Sequence, residues 1–201
     1  MKTFATICAV ILLTAQVAFA ATIERGASVA VTDLGVHSGT SDPDVNLLNA
    51  EAAASEYVIA RLAATNNFDV KDRSLVYEAL KNLNMLGLID PDNAKKIGEV
   101  LNVRYLVYGN VTDVSIGVEK ALVNVTTVKV HIVLRIMDVD TGKILTAARG
   151  EGMSASSFVG DENFFYIGTV KVTQTAVHNA LQKAAFQAVD ILNERLFGKR
   201  K

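Results

Sequence analysis

Residues 128–145, VKVHIVLRIMDVDTGKIL, decide the fold. Val128, Val130, Ile132, Leu134 and Ile136 alternate with Lys129, His131 and Arg135, so one face is apolar and the other carries charge. Alternation with a period of two, in β-branched residues, predicts a half-buried strand. Asp140-Thr141-Gly142 predicts a tight turn, because Asp tolerates turn backbone and Gly takes positive φ at no steric cost. Residues 143–149 return as the next strand. Upstream, 103–116 (VRYLVYGNVTDVSI) is apolar enough on both faces to lie on the other side, which gives a three-strand β-meander.

Working outward, 27–33 (ASVAVTD) is small and β-branched, as in a strand buried on both faces. A polar loop of about a dozen residues follows, 34–45, long enough to invite a functional reading. Residues 46–65 predict a helix, with Leu47, Ala50, Ala54, Val58 and Leu62 on one face. FDVK at 68–71 is a brief strand. Asp72 or Ser74 caps a second helix with Leu75, Val76, Ala79, Leu80 and Leu83 on its apolar face, closed by Gly87. Asp90-Pro91 opens a third, which buries Ala94, Ile97 and Leu101.

After the meander, residues 150–169 break the pattern with glycines, serines and four aromatics. A long helix over 173–196 closes the chain, with Val177, Leu181, Ala184, Ala185, Val189, Leu192 and Leu196 as its stripe and Gly198 as its stop. The element order is β-α-β-α-α-β-β-β-α. The fold class is α/β (α+β): a single mixed five-stranded sheet covered by helices, its first β-α-β unit parallel and its last three strands antiparallel.

Residues 1–20 read as a secretory signal peptide. Lys2 supplies the positive start, 4–17 is apolar, and Ala18-Phe19-Ala20 places cleavage between Ala20 and Ala21. The apolar run is shorter than the roughly 20 residues that span hydrocarbon. The expected domains are therefore 1–20 and 21–201. Removal of Lys2 moves the net charge from −1 to −2. With no basic patch, nucleic acid and anionic lipid are not expected partners. The one cysteine, Cys8, lies in the signal peptide, so neither a disulfide, a thiolate nucleophile nor a lipid anchor is expected.

Chemistry-bearing motifs are weak. Gly150-Glu151-Gly152-Met153-Ser154-Ala155 fits a loose G-x-G-x-x-A, but it follows a meander strand and runs into a serine-rich stretch. Asp138–Gly142 starts like a calcium loop, yet its glycine is fifth and Arg149 stands at the twelfth position. His37, His131 and His178 share no ligand spacing and read as solvated. Asn110-Val111-Thr112 and Asn124-Val125-Thr126 fit a glycosylation acceptor, but both fall in strands. No catalytic, metal or cofactor site is expected.

The aromatic cluster is the feature that asks for a role. Phe158, Phe164, Phe165, Tyr166 and Ile167 give a loop more apolar surface than it needs. Two readings stand: a lid folded over a sheet edge, or a partner-binding arm.

Taken together, the ASVAV strand, the helix AEAAASEYVIARLA leading to FDVKDRSLVYEAL, and AKKIGEVLNVRYLVYGNVTDV ahead of a strand pair joined by DVDTGKIL resemble the curli production assembly/transport component (CsgG) family. The resemblance covers nearly all of residues 27–196. It implies a non-enzymatic protein, either a subunit of an outer-membrane secretion channel or an activator that binds a peptidoglycan synthase. Both branches are lipoproteins, and this sequence lacks the lipid-accepting cysteine. A barrel strand needs about 9–11 residues; 113–127 leaves about six per leg, and serines with Glu151 crowd one leg of 150–170.

The expectation is a soluble, non-enzymatic, periplasmic or secreted envelope protein that binds other envelope proteins in export, assembly or cell-wall synthesis. Self-association is left open. The alternatives are a channel subunit using 150–170, and a small-ligand binder or enzyme using the 34–45 loop.

Overall fold

The computed structural model describes residues 23–36, 50–85, 91–120, 124–157, 164–167 and 170–198. In chain order the elements are β1 (Ala27–Val31), β2 (Gly35–Val36), α1 (Ala50–Thr65), β3 (Phe68–Val70), α2 (Arg73–Asn82), α3 (Pro91–Leu101), β4 (Tyr105–Lys120), β5 (Asn124–Asp138), β6 (Ile144–Ser157), β7 (Phe164–Ile167), β8 (Val170–Thr173) and α4 (Gln174–Phe197). The main sheet runs β3-β1-β4-β5-β6, which is the expected mixed five-stranded path; the two-residue β2 adds to it beside β4. β1 pairs parallel with β3 and β4, and β4-β5-β6 is the antiparallel meander.

The alternation in β5 explains the core. Val128, Val130, Ile132, Leu134 and Ile136 are all fully buried and meet α1 and α4. Ala30, Leu106, Met137 and Val139 point to the opposite face, where α2 and α3 cover them through Val76, Leu80, Ala94 and Ile97. The caps follow local chemistry. Asp72 accepts from the Ser74 N–H at 2.8 Å and starts α2; Thr173 accepts from the Ala176 N–H at 3.1 Å and starts α4; Gly198, at φ 80°, stops α4.

Three expectations shift. First, α2 ends at Asn82, with Leu83 as its cap; Gly87, Asp90 and residues 37–49 lie outside the described residues. Second, Asp140-Thr141-Gly142 forms the β5–β6 turn as expected, but the side chain that ties it is that of Asp138. Its Oδ1 accepts from the Thr141 N–H and from Thr141 Oγ1, both at 2.9 Å, while Gly142 takes the expected positive φ of 65°. Burial raises the Asp138 pKa, but the Thr141 hydrogen bonds and the Arg104 charge outweigh it and hold the carboxyl below its ordinary value.

The third concerns the expected break at residue 150. β6 continues through it to Ser157, paired with β5 throughout. Gly150 and Gly152 are not turn residues. They lie flat beneath α4, whose Ala180, Ala184 and Ala188 press onto their backbone. A Cβ on Gly152 would stand 1.9 Å from the Ala180 carbonyl oxygen, and one on Gly150 would stand 2.0 Å from that of Ala184.

The meander is also longer than its sequence suggests. β4 and β5 stay paired out to Lys120 and Asn124, with one register shift between Val111 and Asp113. That extra residue changes the phase of β4, so Val107 and Val111 before it and Val114 after it all reach the same core.

Candidate functional site

The aromatic segment takes form from its C-terminal side. Val172 is fully buried and Thr173 nearly so, which ties β8 to the core immediately before α4. β7 then pairs antiparallel with β8, Phe164 opposite Thr173, Phe165 opposite Val172, Tyr166 opposite Lys171 and Ile167 opposite Val170. These two strands form their own small sheet, separate from the main one. Phe158 lies outside the described residues, as do Ala20 and Ala21. The structure thus brings Phe164, Phe165, Tyr166 and Ile167 into one strand, where the sequence suggested a loop.

A second surface lies on the face of the meander opposite α4. Asp113, His131 and Glu151 stand in one row across β4, β5 and β6. His131 Nδ1 is 3.2 Å from Asp113 Oδ2, and Nε2 is 3.5 Å from Glu151 Oε2. The histidine expected to be solvated is therefore held between two carboxylates. Its two nitrogens point to opposite neighbours, so the three groups do not converge on one point. Among the described residues, no group of three or more His, Cys, Asp or Glu could hold a metal ion. His178 has a different partner: its Nδ1 is 3.1 Å from the Tyr57 hydroxyl, across the α1–α4 contact. The same seam carries the Arg61–Asp190 pair, two parallel bonds of 2.8 Å that raise the guanidinium pKa.

The outer edge of β6 is closed by side chains from α4. Gln187 Oε1 accepts from the Glu151 N–H, Lys183 Nζ donates to the Met153 carbonyl at 2.9 Å, and Arg195 donates to the Ala147 carbonyl. These are outward-facing backbone groups that an added strand would otherwise claim. No sequence signal marks this row beyond polar residues stepping by four and eight along α4.

The loose G-x-G-x-x-A at 150–155 is strand throughout and the strand runs on to Ser157, so the motif lacks the turn that a dinucleotide phosphate needs. Both glycosylation-like triplets begin within strands, at Asn110 in β4 and at Asn124 in β5. No described helix is long and apolar enough to cross a membrane.

Comparison with solved structures finds similar chain paths. Lipoprotein GNA1162 from Neisseria meningitidis is 21% identical, with a TM-score of 0.48, covering 65% of this chain and 84% of that one. The LpoB C-terminal domain from Escherichia coli is 15% identical, with a TM-score of 0.44, covering 64% and 84%. The PelC dodecamer from Paraburkholderia phytofirmans is 14% identical, with a TM-score of 0.44, covering 89% and 93%. At these identities and scores the likenesses carry no functional inference. Comparison with curated proteins finds no match. The family model described as curli production assembly/transport component CsgG matches residues 14–201, which takes in every element from β1 to α4, and the chain belongs to that family.

Proposed function

We propose that this chain is a non-enzymatic cell-envelope protein of the CsgG type, exported through residues 1–20, which acts by binding other envelope proteins in export, assembly or cell-wall synthesis. The observation that carries the reading is the placement of Phe164–Ile167. Three aromatics and an isoleucine sit on a four-residue strand whose paired neighbour is β8, in a sheet apart from the main one. A short ribbon of that kind is held at one side and offers the other to a partner, and aromatic anchors carry most of the energy in such contacts. Family membership supports the envelope setting, and the resemblance carries no catalytic residue onto any position of this sequence.

The test replaces Phe164, Phe165 and Tyr166 with serine and compares thermal melting with capture of partners from the native envelope. A binding arm predicts near-wild-type melting with partner capture lost. A lid predicts a much lower melting temperature, because each buried aromatic contributes about 1.5–3 kcal/mol. A stable variant that still captures every partner overturns the proposed arm.

A further inference from the structure

The outer half of the meander carries a device that is independent of the partner-binding reading. On the face opposite α4, the apolar cluster beneath α2 and α3 reaches β4 and β5 at Leu106, Tyr108 and Met137. β4 and β5 stay paired well past those residues, to Lys120 and Asn124, and β6 stays paired with β5 to Ser157. Among the described residues, that extension has no apolar cluster on its outer face, so cross-strand side-chain contacts tie the three strands together there.

The row Asp113, His131 and Glu151 supplies such a contact across all three strands. The register shift between Val111 and Asp113 creates it. Without the extra residue, Thr112 would stand opposite His131 and offer a hydroxyl; with it, a carboxylate stands there. The His131 side chain is 16% exposed, against 46% for Asp113 and 56% for Glu151, so the ring is enclosed between the two acids.

The proton count of the ring decides what this row does. A neutral imidazole has one N–H and one lone pair, so it donates to one carboxylate and turns its lone pair toward the other. The imidazolium has two N–H groups and a positive charge, and satisfies both. Lys129 and Arg135 lie on the same face of β5, and Arg149 lies on that face of β6, opposite Val133. Among the described residues, none of these three cations is within ion-pair distance of Asp113 or Glu151, so the ring is the cation that both acids hold. α4 lies on the other face, and its Lys183 turns to the Met153 carbonyl.

We propose that Asp113, His131 and Glu151 form a proton-operated clamp on the outer half of the meander, closed when the ring carries both protons and released on one side when it loses one. Its contribution is present at mildly acidic pH and is lost as pH rises through the range in which histidine changes charge, about 5 to 8. It is lost again at the acid extreme, where the carboxylates themselves are protonated. Between those limits the meander stiffens in acid and loosens in alkali.

The test is amide hydrogen exchange of the full chain at about pH 5.5 and about pH 8, corrected for the intrinsic pH dependence of exchange and read at residues 113–118, 127–131 and 151–155. His131→Gln keeps a planar polar group that takes no proton. Asp113→Asn with Glu151→Gln keeps the ring and removes both negative charges. Wild-type protection should exceed that of His131→Gln by about two- to fivefold at the acid pH, the range of an exposed ion pair, and approach it at the alkaline pH. The carboxamide double variant should lose the same step. His178→Gln, which removes the histidine bonded to Tyr57, should keep it. Absence of the step in the wild type, its survival in His131→Gln or in the double variant, or its loss in His178→Gln would overturn the proposal.

Discussion

Replacing Gly152 with alanine tests the packing of α4 on β6 directly. The added Cβ would lie 1.9 Å from the Ala180 carbonyl oxygen and 2.5 Å from the Ala184 nitrogen. Both are helix backbone atoms, so no rotamer can swing clear. To restore an ordinary contact of 3.4–4 Å, α4 and β6 must separate by roughly 1.5 Å or more. That shift also loosens the neighbouring contacts of Ala176, Val177, Leu181 and Ala184, which all lie on the buried face of α4. A radial gap of 0.5–1 Å forfeits about a quarter to a half of each contact's attraction. Overpacking typically costs about 1–3 kcal/mol, and backbone-to-backbone conflict places this site at the upper end. At about 2–4 °C per kcal/mol for a domain of this size, a cost near 3 kcal/mol lowers the melting temperature by about 6–12 °C. Gly117→Ala is the internal control, because its Cβ would have nothing within 4 Å, and its expected effect is within about 0.5 kcal/mol. If calorimetry finds the two variants melting together, close contact is not why glycine stands at 152.

Two further outcomes follow from the turn and the sheet edge. Asp138→Asn should destabilise by about 1 kcal/mol at neutral pH, because the Thr141 bonds pass from a charged acceptor to a neutral one. The folded-state pKa of Asp138 is depressed, so its contribution is present above the unfolded carboxylate pKa and fades as pH falls toward the folded value; melts between pH 7 and pH 3 should show a shallower acid loss in the variant. The triple change Lys183→Ala, Gln187→Ala and Arg195→Ala should leave the core intact but uncover outward groups of β6, so light scattering should report more association than the wild type shows at equal concentration.

Much of the fold was legible because its signals are local. The alternation from Val128 to Ile136 is the register of β5 itself, and Asp72, Thr173 and Gly198 act within four residues of their own positions. What escaped depends on residues distant in sequence. Gly150 and Gly152 resemble loop residues until Ala180, Ala184 and Ala188 are laid over them, about thirty positions downstream. His131 could not be placed between Asp113 and Glu151 before the pairing of three strands was known. In the turn, Asp138 and Asp140 are chemically alike, and only backbone direction selects the one that accepts from Thr141. The aromatic run was visible from its composition, whereas its pairing with β8 was not.

The central position of β1 has a consequence in time. It precedes every other described strand in chain order, and it is apolar on both faces, with Val29, Ala30 and Val31 all buried in the finished fold. Its partner on one side, Phe68 opposite Ala27, arrives about 40 residues later, and on the other side Tyr105, opposite Val29, arrives about 75 residues later. The meander has no such delay: Lys120 meets Asn124 almost as soon as both exist. α4, which covers the meander, follows every described strand. A chain built in this order carries its stickiest strand with at least one edge unpaired through about the first half of its production, and the half made second is the half able to fold first.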